Sequence, residues 1–303
     1  MEIEFKFQVP AEEVTPVENA LRVGEVLQID LEARYFDTAD GRLAAAGIAL
    51  RLRSENGQWL QTVKARGEGV LDRFEHNVEL AAAPQPNAVP DIRLHKGTKV
   101  GRLLKAALGD AALCQTFATE ISRVVRYEYE GGSKAEIALD LGEVRTVDAA
   151  GAPLRSSPVC ELEIELVLGD AADLASVARR WIDRHGLFVS TLSKSGRGAR
   201  LLEESPLIAA VKAEPPRFAE AHGEAPDGAE IQRRVVAACL AQVLPNASEV
   251  AAGNDSRDIV HQLRVGLRRL RTALRELDGL AAGNFQPGWE APLSRVFAAL
   301  GEQ

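Results

Sequence analysis

Cysteine is scarce in this sequence. The three present (Cys114, Cys160, Cys239) are odd in number and far apart. That spacing excludes a disulfide framework and the paired-cysteine patterns of zinc sites, and it fits a reducing cytoplasm. An excess of positive charge is missing too. The formal net charge is −8, so the chain as a whole attracts neither nucleic acid nor an anionic membrane. Any anion-binding role must come from local clusters. No apolar run approaches the length of a membrane span, and a charge at residue 2 argues against a secretory leader. Neither a Ser/His/Asp arrangement nor a Walker loop is present. The histidines His76, His95, His185 and His222 lack metal-ligand spacing and read as structural or exposed.

What is present is a chain of 303 residues, 46% hydrophobic and 26% charged, a length that suggests about two domains. Up to about residue 200 the pattern is strand-like. VLQIDLEARYFDT, IALRLRSE, QWLQTVKAR, RFEHNVEL, ISRVVRYEYE, KAEIALDLGEVRTV and PVCELEIELVLG are rich in Val, Ile, Leu and aromatics and end at Gly, Asn, Asp or Pro. Helical pieces, such as DLASVARRWIDRHGL, fall between them without regular βαβ alternation. The reading is α+β with a large antiparallel sheet. Residues 210–230 hold Pro, Gly, Ala and charge without periodicity and read as linker. Beyond them the pattern is helical.

Parity places the charges. Successive strand side chains point to opposite faces. Glu2, Glu4 and Lys6 therefore share a face, as do Arg51 and Arg53, Lys64 with Thr62, Arg73 with Glu75, Glu136 with Asp140, and Glu161, Glu163 and Glu165. Cys160 falls on the opposite, apolar side. A solvated sheet face accounts for any one of these strands. It accounts poorly for the set, because like charges two apart on one strand repel. Clustered carboxylates suit a hard divalent cation. Clustered Arg and Lys suit phosphate oxygens. Together they point to metal-bound polyphosphate. If the sheet curls with its apolar faces outward, the ionic faces line the lumen.

These motifs carry a resemblance. Glu2-x-Glu4-x-Lys6 resembles the ExExK signature of the CYTH superfamily, the triphosphate tunnel metalloenzymes. YFDT at 35–38, LRLR at 50–53, TVK at 62–64, Arg73-x-Glu75, EIALDLGEV at 136–144, CELEIEL at 160–166 and LSKSGRG at 192–198 follow in the family's order. The resemblance implies an eight-stranded antiparallel β-tunnel, closed as a barrel, with flanking helices. Carried over by position, Glu2, Glu4, Asp140, Glu161, Glu163 and Glu165 resemble metal-site carboxylates for Mg²⁺ or Mn²⁺. Lys6, Arg51, Arg53, Lys64, Arg73, Arg123 and Lys194 resemble the cations that grip triphosphate, with Arg197 closing one end from the SKSGRG loop. Arg123 is preferred to Arg126, which lies three residues on and so on the other face. The catalytic set would be Glu2, Glu4, Lys6, Glu161 and Glu163.

The segment VHQLRVGLRRLRTALREL resembles the signature helix of CHAD domains, a family associated with polyphosphate, although the chain stops earlier than that family's pattern. His261, Arg264, Arg268, Arg271 and Arg275 form one stripe of its helix and Leu263, Leu267, Leu270, Leu274 and Leu277 another. Basic helix faces are commonly just solvated; the resemblance favours polyphosphate binding. The expected organisation is a tunnel domain over 1–205, a linker over 206–228 and a small, partial all-α domain over 229–303. The expected activity is metal-dependent hydrolysis of inorganic triphosphate to pyrophosphate and phosphate in the cytoplasm, without a membrane or specific nucleic acid. Adenylyl cyclase or thiamine or nucleoside triphosphatase chemistry on the same fold, a non-catalytic polyphosphate-binding module and a structural Ca²⁺ site remain as alternatives. The metal, the oligomeric state and the exact substrate are not legible in the residues.

Overall fold

A computed structural model of the protein describes residues 3–66, 73–148, 152–203, 208–216, 218 and 225–301. Glu2 and His222 lie outside these, and so does the side chain of Arg73. The chain divides into two compact units, Met1–Phe188 with Leu192–Pro206, and Val189–Thr191 with Leu207–Gln303.

Up to residue 202 the chain runs β1 (Glu4–Gln8), α1 (Val14–Leu21), β2 (Leu27–Thr38), α2 (Arg42–Ala45), β3 (Ile48–Glu55), β4 (Gln58–Arg66), β5 (Arg73–Glu79), α3 (Lys99–Leu108), β6 (Leu113–Glu130), β7 (Ser133–Val147), β8 (Pro153–Leu168), α4 (Ala171–His185), β9 (Phe188–Val189) and α5 (Lys194–Leu202). The strands form one sheet in the order β5-β4-β3-β2-β6-β7-β8-β1-β9. The pairings along β5 through β1 are antiparallel. The fold is thus α+β around a large antiparallel sheet. Among the described residues it has nine strands rather than eight, the addition being the two-residue β9. Among the described residues no pairing joins β5 to β9, so hydrogen bonds do not close the sheet.

Local chemistry explains the elements. The β3–β4 hairpin turns on Asn56–Gly57, both at positive φ (48° and 87°), the signature of a two-residue hairpin loop. The Asp37 carboxylate of YFDT accepts from the backbone N–H groups of Thr38, Leu43 and Ala44 and so starts α2. The segment LSKSGRG, expected as a loop, is the first turns of α5. The Ser193 hydroxyl accepts from the Gly196 N–H at 3.0 Å and supplies the N-cap that two glycines would otherwise argue against.

On one sheet face Leu43, Leu50, Leu52, Val63, Val100 and Leu104 form a core beneath α2 and α3. Phe7, Leu139, Leu162 and Ile164 are fully buried, and α4 packs on β6, β7 and β8. The other face is not uniformly ionic. Ala33, Tyr35, Phe117, Ile121, Val144 and Val159 make an apolar patch there, and Leu201 of α5 packs on it.

The second unit contains α6 (Gly228–Ala251), α7 (Arg257–Glu276) and α8 (Glu290–Ala299). Part of the segment read as linker is docked here. The Val211 N–H donates to the Asn246 side-chain carbonyl (3.1 Å), and the Asn246 amide donates to the Val211 carbonyl (2.9 Å). Ile259, Leu263, Leu267, Leu270 and Ala273 are the buried stripe of α7; Leu274 and Leu277 are only partly buried.

Candidate active site

Register decides which charges meet, because cross-strand partners share a face. Lys6 stands opposite Glu163 and Glu4 opposite Glu165. Asp140 stands opposite both Glu161 and Arg123. Arg51 lies between Tyr35 and Thr62, and Lys64 faces Glu75. All these residues therefore occupy one face of one sheet. Arg126 lies on the other face, where it donates to the Ala20 carbonyl and pairs with Glu128.

The ion pairs concentrate around Glu163. Its carboxylate lies 2.9 Å from Lys6 Nζ, 2.9 Å from Lys194 Nζ and 2.5 Å from Arg123 Nη2. Lys194 also reaches Asp140 (2.7 Å) and Glu161 (3.0 Å). Arg123 grips Asp140 with a two-pronged fork, Nε at 2.6 Å and Nη2 at 2.7 Å. Arg197, one helical turn after Lys194, donates to Glu161 at 3.0 Å. The Asp140 and Glu161 side chains are fully buried. Burial alone would raise the Glu163 pKa; Lys194, Lys6 and Arg123 outweigh it and hold the carboxyl well below the usual range. Burial likewise disfavours the Lys194 ammonium, yet Glu163, Asp140 and Glu161 raise it well above its ordinary value.

The cationic half on β3 and β4 is less satisfied. Arg53 pairs with Glu55 at 2.5 Å and Lys64 with Glu75 at 2.6 Å. Burial first, and then Arg51, pull the Arg53 pKa down. The Nε atoms of Arg51, Arg53 and Arg197 are buried without a hydrogen-bond partner. An unpaired buried donor is costly, and a guanidinium N–H is a donor that phosphate or carboxylate oxygens accept.

Residues 1–199 match the family described as CYTH domain. The chain belongs to the CYTH domain family. Residues 234–303 match the CHAD domain. A relative named inorganic triphosphatase in Haemophilus influenzae is 26% identical over 167 residues, 54% of this chain and 44% of the relative. YjbK of Bacillus subtilis, named as a candidate triphosphatase, is 32% identical over 100 residues, 32% of this chain and 53% of that protein. The chain spans about half the length of the curated relatives it matches. Among solved structures, HpAC1 of Hippeastrum, described as a candidate adenylyl cyclase with a dominant triphosphatase activity, is 18% identical with a TM-score of 0.43, over 62% of this chain and 90% of that one.

The donor chemistry of the CYTH site fits a hard divalent cation. Glu4, Glu165 and Glu136 succeed one another as register partners across β1, β8 and β7, oxygen donors only. Among the described residues no group of three or more His, Cys, Asp or Glu side chains is arranged to hold an ion as it stands. Glu161, Glu163 and Asp140 turn their oxygens to ammonium and guanidinium groups instead. Glu136 and Glu75 were legible by parity but went without a role; Tyr35, in the YFDT motif, and Phe117 had no charge to mark them.

In the CHAD-matching unit the basic stripe is partly engaged. Arg271 pairs with Glu290 at 2.6 Å. Arg264 donates to the Leu300 carbonyl, and both guanidinium groups lie over Phe297. Arg275 pairs with Glu276. His261 and Arg268 are exposed. No helix among the described residues is long and apolar enough to cross a membrane.

Proposed function

We propose that this CYTH protein hydrolyses inorganic triphosphate to pyrophosphate and phosphate on the charged face of its sheet. The observation that carries the reading is the trio of buried guanidinium Nε donors without a partner among the described residues, on Arg51, Arg53 and Arg197; Arg51 and Arg53 share the sheet face of Glu161, Glu163 and Asp140, and Arg197 reaches Glu161. Relatives named as triphosphatases support it. In this reading the sheet curls and brings the β3 and β4 cations toward the β1 and β6–β8 cluster; only β2 separates Arg51 and Arg53 on β3 from Arg123 on β6.

In this reading Lys6, Arg51, Arg53, Lys64, Arg73, Arg123, Lys194 and Arg197 neutralise and orient the phosphate oxygens. Positioning and charge stabilisation carry most of the rate in phosphoryl transfer. Glu2, Glu4, Asp140, Glu161, Glu163 and Glu165 hold Mg²⁺ or Mn²⁺. Such an ion, when bound, adds positive charge to the phosphoryl oxygens and lowers the pKa of the attacking water. Residues 1–205 form the catalytic domain, and the basic face of α7 binds polyphosphate. Phosphate release from triphosphate, ATP and thiamine triphosphate, each with Mg²⁺, Mn²⁺, Ca²⁺ or chelator, tests the reading. Turnover of triphosphate above the other two with Mg²⁺ or Mn²⁺ is expected. Metal-independent binding without turnover would favour a binding module, and Ca²⁺ stabilisation without anion affinity a structural ion site.

A further inference from the structure

A line of uncharged contacts crosses the sheet and ends on one of the proposed phosphate-gripping cations. Arg51, Tyr35 and Phe117 are successive cross-strand neighbours on β3, β2 and β6. The Phe117 and Tyr35 rings stack, with centroids 4.4 Å apart and planes inclined by 20°. Arg51 Nη1 donates to the Tyr35 hydroxyl at 3.0 Å, and its guanidinium carbon lies 5.8 Å from the ring centroid. Beyond Phe117, Gly198 of α5 lies against the ring. A Cβ at that position would fall 2.5 Å from Cγ and Cε2 of Phe117, so only glycine lets the helix come so close. The same helix carries Lys194 and Arg197 to the carboxylates.

The chemistry of the acceptor matters. Burial raises the Tyr35 pKa, but Arg51, and then Lys194 and Lys64, bring it below the ordinary tyrosine value. The acceptor that Arg51 meets there is a phenol oxygen and not a carboxylate. A carboxylate there would compete with phosphate for Arg51; a phenol fixes Nη1 and leaves the positive charge unspent. Arg51 Nε stays buried and without a protein acceptor.

We propose that Tyr35 and Phe117 are positioning residues that, backed by Gly198, hold the Arg51 guanidinium with its Nε–H presented to a phosphate oxygen of the substrate. This rests on the triphosphate reading, and the test separates the two. Affinity of the full chain for inorganic triphosphate is measured by calorimetry and turnover by phosphate release. The variants are Tyr35→Phe, Gly198→Ala, Arg51→Lys and the Tyr35→Phe/Arg51→Lys double variant. Tyr35→Phe keeps the stack and the fold but weakens binding and raises KM about tenfold, the size of one lost hydrogen bond. Gly198→Ala shifts both in the same direction. With Arg51→Lys already present, Tyr35→Phe adds nothing further. Equal losses in the two backgrounds, or wild-type KM in Tyr35→Phe, overturn the proposal.

Ultraviolet titration reads the same pairing without substrate. The difference between wild type and Tyr35→Phe isolates one phenol, expected to ionise below about pH 10 and to move upward in Arg51→Gln; no movement also overturns the proposal. A wild-type protein that binds triphosphate without cleaving it sinks the hydrolase reading while the affinity cycle still decides the role of Tyr35. Normal hydrolysis with an unaltered Tyr35→Phe sinks only the positioning role. A wild type that does not bind triphosphate overturns both.

Discussion

Lys6 and Glu163 are direct partners in the β1–β8 ladder, and their side chains form an ion pair of 2.9 Å on the charged face. The first strand of the chain is thereby tied to the eighth through the two residue types that phosphate and metal chemistry both require. Glu163 also serves Lys194 and Arg123, so its carboxylate balances three cations at once.

Glu163→Gln keeps the shape and removes that charge. Triphosphate turnover is expected to fall on the order of 10²–10³-fold, read as phosphate release at saturating substrate. Retained wild-type turnover would remove Glu163 from the site.

Lys194→Met leaves Asp140 and Glu161, both with fully buried side chains, short of a cation. Breaking a buried pair from one side costs about 3–5 kcal/mol. The urea midpoint of the first unit should drop accordingly. A midpoint within error of wild type would mean that water already screens the cluster.

Arg53→Ala removes a cation whose ion-pair partner Glu55 has a side chain 38% exposed. Stability should hardly change, whereas triphosphate hydrolysis should be lost, as it should in Glu4→Gln. Parallel melting curves and rate assays separate the two effects. A loss of folding in step with the loss of rate contradicts the assignment.

His95 sets an acid limit on stability. The Asp91 N–H donates to the Gln61 side-chain carbonyl at 2.8 Å, which fixes the amide and makes Gln61 Nε2 the donor toward His95 Nε2 at 3.0 Å. His95 therefore carries its proton on Nδ1, directed at His76 Nδ1 2.9 Å away. Burial, and then His76, lower the His95 pKa to about 4. The unfolded chain takes up this proton near pH 6.5 and the folded one only near 4, so the stabilisation is complete above pH 6.5 and is lost as pH falls between those values. The loss is about 3 kcal/mol. Glu163, whose pKa is depressed, adds a separate loss below about pH 4.5. Denaturant melts across this range should slope in wild type and flatten above pH 4.5 in His95→Leu.

In the second unit, His261→Ala with Arg268→Ala should weaken polyphosphate binding without unfolding, because both side chains are exposed. Arg271→Ala should instead loosen α8 through Glu290. Anisotropy of labelled polyphosphate at two salt concentrations checks this; affinity independent of salt would argue against ionic binding.

The period-two alternation in IALRLRSE, CELEIEL and EFKFQ determined that one face of the sheet carries the ionic residues, because a strand leaves side chains only two directions. It also separated Arg123 from Arg126 by parity. The helical repeat of VHQLRVGLRRLRTALREL marked its core stripe for the same kind of reason. Which cation meets which carboxylate was decided by tertiary structure alone: strand register set Lys6 against Glu163 and Asp140 against Arg123, and the capped helix α5 brought Lys194 across to both. Tyr35, Phe117 and Gly198 have no charge pattern of their own. Their relation to Arg51 exists only because β3, β2, β6 and α5, far apart along the chain, are packed within hydrogen-bond and van der Waals reach, distances that local periodicity does not encode.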